Sequence, residues 1–236
     1  LWASPEGQVM RLPGARSVYD LMADDLARCA ANRPQLTSDL VRKTAGFPAL
    51  AALPPITVEE ICRIDTNPDF TITQMVLRPQ EEPPNGATQS SLLLPALLYT
   101  PTATATGSVT PGTNLQSRPG LLYVHAEGKA QDAGTEGPIE TLVRAGRTVL
   151  AVDLRGTGET HDPDRTFYHT DFGQAGQEYM TAYLLGESYV GYRATDLLLA
   201  ARWLRDRSGT AGNPIDLVAI GHVGVPALHA AVAEPG

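Results

Sequence analysis

Thr148-Val-Leu-Ala-Val-Asp-Leu-Arg-Gly-Thr-Gly-Glu159 begins as an unbroken apolar run and ends as a glycine-rich turn. A short run of this kind, closed by a turn, reads as a strand buried on both faces. Gly120-Leu-Leu-Tyr-Val-His125 upstream and Ile215-Asp-Leu-Val-Ala-Ile220 downstream repeat the pattern. Helical stretches separate them. Residues 137–146 suit a helix closed by Gly146. Over 190–207, Val190, Ala194, Leu197, Leu198, Ala201 and Leu204 line one face. A further helix starts over 224–234. Strand alternating with helix calls for an α/β fold, a mostly parallel sheet flanked by helices with right-handed crossovers.

The preceding residues differ in character. Residues 17–33 carry Leu21, Met22, Leu26 and Cys29 at helical spacing, and Pro34 stops the pattern. Ser38 to Thr44 suits a short helix with Ser38 as N-cap. Thr57 to Arg63 reads as a helix turn behind Pro54-Pro55. Residues 1–63 therefore read as a helical extension or interdomain joint, and 64–236 as the α/β core. Within that core Phe70 to Leu77 alternates like a strand, and Leu92 to Thr100 is a strand that Pro95 marks as bent or near an edge. Residues 81–91 are a polar turn region, and 101–119 a low-complexity loop.

Composition narrows the function classes. The chain has 236 residues, with 18 Lys and Arg against 26 Asp and Glu, a formal charge of −8. That charge excludes nucleic acid and anionic membrane surfaces as natural partners. The 22 glycines and 19 prolines make about a sixth of the chain, above the usual eighth or so, which fits a turn-rich sheet fold. Cys29 and Cys62 belong to no Cys-x-x-Cys and read as two separate buried thiols rather than a disulfide. No run of about 18 apolar residues predicts a membrane span. The start at Leu1 carries no leader signature and reads as an interior start cut from something longer.

Three candidate sites lie at strand ends, where open α/β sheets gather their functional loops. Gly221-His222-Val223-Gly224-Val225 sits where a strand–turn–helix nucleophile elbow would stand, but Val223 has no atom able to attack a carbonyl. An ordinary β-to-α turn is the alternative. Asp153-Leu-Arg-Gly-Thr-Gly-Glu159 lacks the third glycine of a dinucleotide fingerprint, since His stands at 161. His125-Ala-Glu-Gly128 could present the Ala126 amide to an oxyanion, as could the Gly224 amide beside the elbow.

Taken together, the three motifs in this order resemble the α/β-hydrolase fold, in its acetyl-xylan-esterase-like and dienelactone-hydrolase-like carboxylesterase form, over roughly residues 70–236. The Leu1–Pro34 segment resembles the joint entering the second half of tandem-domain relatives. That resemblance implies a partial α/β-hydrolase fold, incomplete at its C-terminal end, because the family's triad acid and histidine follow the elbow on later strands. None of His125, His161, His169, His222 and His229 occupies the histidine's place. The implied function is a degenerate hydrolase-like domain of a larger carboxylesterase-related protein. The alternative is part of an active serine carboxylesterase on acetylated carbohydrate, with its catalytic residues in another domain or chain. A second hydrolase domain or subunit is expected to cover the open sheet edge, and the chain alone is expected to be poorly soluble without it. No cofactor is implied. Bacterial relatives of this kind are often exported, and no signal is legible here.

Other residues compete for a role. Gly186-Glu-Ser-Tyr-Val-Gly191 resembles the elbow of serine carboxypeptidases around Ser188. Gly186 lies 31 residues after Arg155 against 66 for Gly221, and only the longer gap holds a crossover helix and another strand. His161, Asp162, Asp164, His169 and Asp171 crowd one loop but form no helical metal-ligand pair, so a solvated loop is the expectation. Tyr168, Phe172, Tyr179, Tyr183, Tyr189 and Tyr192 cluster closely enough to line a sugar or aryl pocket, a lectin-like surface, or a domain contact.

Overall fold

A computed structural model describes residues 4–5, 7–80, 92–102, 120–161, 176–207 and 214–233. It divides into two compact units, Leu1–Thr37 and Ser38–Gly236. In the first, helix α1 (Val18–Ala31) forms where the apolar spacing predicts it. Ser17 caps it: the Asp20 N–H donates to Ser17 Oγ at 3.1 Å and the Ser17 N–H to Asp20 Oδ2 at 2.7 Å, which satisfies two end donors reciprocally.

The second unit contains α2 (Ser38–Ala45), β1 (Ile56–Ile64), β2 (Phe70–Pro79), β3 (Leu94–Pro101), β4 (Leu121–His125), α3 (Pro138–Arg144), β5 (Val149–Val152), α4 (Gly176–Leu184), α5 (Tyr189–Asp206), β6 (Asp216–Ile220) and α6 (Gly224–Ala233). The strands form one sheet in the order β1-β2-β3-β5-β4-β6. β4 runs parallel to β5 and β6, as the strand–helix alternation requires. The first three strands extend the sheet antiparallel, β3 pairing β5. The result is an α/β-hydrolase-like mixed sheet flanked by helices.

Three local expectations are corrected. Thr57–Arg63 is strand, not helix, because its β-branched residues pair along β2 from Ile56↔Pro79 to Ile64↔Ile72 with a bulge between Glu60 and Cys62; sheet pairing overrides the weak local helix preference. β3 is interior, between β2 and β5. Pro95 stands near its start, where a missing N–H is tolerated, and its carbonyl accepts from the Asp153 N–H at 3.0 Å. Ser38 lies inside α2 rather than before it, its hydroxyl donating to the Val232 carbonyl at 2.9 Å.

Each sheet face buries its own layer. Leu77, Leu98, Leu122, Leu150, Leu197 and Val223 belong to the layer with α2, α5 and α6. Phe70, Tyr99, Tyr123, Ile139 and Val143 form the layer with α3. Cys29 and Cys62 are free, and both are exposed rather than buried. Among the described residues no helix is long and apolar enough to cross a membrane.

Candidate functional site

The C-terminal ends of β5, β4 and β6 stand side by side, so the three sequence motifs are brought together. The chemistry expected of them is not. Gly221–Val223 forms a single 3-10 turn before α6. The left-handed conformation falls on Gly221, with φ +80°, and a Cβ there would come within 2.7 Å of the Ala126 Cβ. Only glycine meets both conditions. Among the described residues Glu136 is the one non-glycine with positive φ, so Val223 does not adopt a strained elbow geometry. Its side chain is 0% exposed and belongs to the core. The residue expected at the nucleophile position is thus a core residue.

Both amides expected to face an oxyanion are engaged elsewhere. The Ala126 N–H donates to the Ile220 carbonyl at 3.0 Å, continuing the β4–β6 ladder. The Gly224 N–H donates back to the Gly221 and His222 carbonyls, closing the turn. An oxyanion hole needs donors left over by the backbone, and these two have been taken up by the sheet and the turn. His222, the turn's middle residue, is exposed. Partial desolvation, and then the nearby Arg193 charge, hold its imidazole below the usual 6.5, while Glu127 opposes. At the end of β4, the Glu127 N–H donates to His125 Nδ1 at 3.0 Å, which leaves the ring proton on Nε2. His229 Nδ1 lies 2.8 Å from the Val225 carbonyl, within its own helix.

Ser188 is the N-cap of α5, its Oγ accepting from the Gly191 N–H at 3.1 Å. That is a capping role, and among the described residues no histidine hydrogen-bonds it. His161 is described, but Asp162, Asp164, His169 and Asp171 lie outside the described residues, as do Tyr168 and Phe172. Among the described residues no three His, Cys, Asp or Glu side chains are placed to hold a metal.

What the Asp153–Glu159 stretch does is hold two loops in register. Asp153, 1% exposed, accepts from the Lys129 N–H at 2.6 Å, Lys129 Nζ at 2.7 Å and the Glu159 N–H at 3.0 Å. Lys129, 5% exposed, pairs also with Glu159. A Cβ on Gly158, with φ +50°, would sit 2.3 Å from Asp153 Oδ1, so the carboxylate occupies the room that glycine leaves. Lys129 escaped the sequence reading; its signal was a lone lysine just past a strand end in a lysine-poor chain.

On the other side, Arg155 forks onto the buried Asp196, Nη2 to Oδ1 at 2.6 Å and Nε to Oδ2 at 2.9 Å, and lies 4.7 Å from the Tyr192 ring centre. Arg193 is fully buried, and among the described residues no carboxylate hydrogen-bonds it. It donates to the Arg155 carbonyl at 2.9 Å, the Gly156 carbonyl at 3.3 Å and the Tyr179 hydroxyl at 3.2 Å, against the Tyr189 ring. Tyr189 donates to the Arg155 carbonyl as well, at 3.1 Å, and burial pushes its phenol up to about 12. Tyr179, Tyr189 and Tyr192 thus brace this loop, whereas Tyr183 is exposed.

No family model matches the sequence, and no curated protein does. Among solved structures the chain is similar to a crystal structure from Bacteroides fragilis described as a "putative acetyl xylan esterase", with a TM-score of 0.66 at 14% identity. The likeness covers 98% of this chain and 60% of that one. At this identity it establishes the fold: an α/β-hydrolase-like domain that spans about three-fifths of its neighbour.

Proposed function

We propose that this chain is a degenerate hydrolase-like domain of a larger carboxylesterase-related protein, non-catalytic by itself. The carrying observation is Val223, buried at the nucleophile position. The engagement of the Ala126 and Gly224 amides supports the same reading, since a triad without nucleophile and hole has nothing to act through. A second hydrolase domain or subunit covers the β6 edge.

The reading is tested by incubating the protein with a fluorophosphonate probe and with acetyl esters of xylo-oligosaccharides. No adduct, and no hydrolysis above a Val223→Ala control, is expected. A single adduct mapped to Ser188 would overturn the reading.

A second reading has its own support. The neighbour's description, together with the 60% of its length that is matched, favours a working esterase on acetylated carbohydrate whose catalytic residues lie in another domain or chain. Hydrolysis by the complete protein that survives Ser188→Ala decides for it.

A further inference from the structure

We draw no further inference here: the strongest candidate, the apolar cavity that Leu197, Ala201, Arg202, Leu217 and Ala230 line between α5, α6 and β6, carries none, because Arg202 already donates to the Leu53 and Pro54 carbonyls and nothing in the structure shows what covers the β6 side.

Discussion

Val223→Ser places a hydroxyl where the proposed reading puts the nucleophile position and tests whether the turn around it can work as a site. Val223 is fully buried among apolar side chains. Replacing it removes two methyl-sized groups from the core, about 1.6 kcal/mol at ~0.8 kcal/mol each. A hydroxyl placed there without a partner adds about 1–3 kcal/mol, so the variant should lose about 3–5 kcal/mol. The chemistry should not return. An attacking serine needs a strained elbow, but the turn places its positive φ on Gly221. Freeing the Gly224 amide would break its bonds to the Gly221 and His222 carbonyls. Losing even one oxyanion donor costs on the order of 100- to 1,000-fold in rate, and here neither candidate donor is available. Urea unfolding measures the first expectation; ester hydrolysis and fluorophosphonate labelling measure the second. Hydrolysis by Val223→Ser clearly above Val223→Ala would refute the reasoning, because it would mean that the turn can adopt the elbow geometry and a base is within reach.

Other expectations follow from the loops around the turn. Lys129→Met strands the Asp153 carboxylate and should cost about 3–5 kcal/mol in urea unfolding, whereas Glu159→Gln, on a side chain 71% exposed, should cost under about 1 kcal/mol. Gly221→Ala forces an L side chain into φ +80° and against Ala126; it should destabilise by more than about 1 kcal/mol, with a fall in melting temperature. His222 should titrate below 6.5 by NMR. Because its folded pKa is depressed, the unfolded chain takes up the proton first, and stability should fall as pH drops below 6.5 towards the folded value. His222→Asn should flatten that slope, and an unchanged slope would count against the assignment.

The parallel half of the fold was legible because continuous apolar runs such as 148–154 and 215–220 admit few alternatives once helices separate them. Thr57–Arg63 was misread because its β-branched residues have no register until β2 lies beside them. That residue 223 cannot attack a carbonyl was legible from its identity alone, since valine offers no attacking atom in any conformation. The state of the amides was invisible: whether the Ala126 N–H faces a substrate or the Ile220 carbonyl depends on how far the β4–β6 ladder runs, and hydrogen-bond direction leaves no mark on residue identity. Lys129, Asp196 and Arg193 likewise acquire their roles through partners distant in the chain, Lys129 through Asp153, 24 positions away, and Asp196 and Arg193 through Arg155, 41 and 38 positions away. Local chemistry therefore settled the parallel strands and their helices and the absence of an attacking atom at position 223, while tertiary pairing decided the fate of Thr57–Arg63 and where the backbone donors point, because backbone groups choose partners by proximity in space.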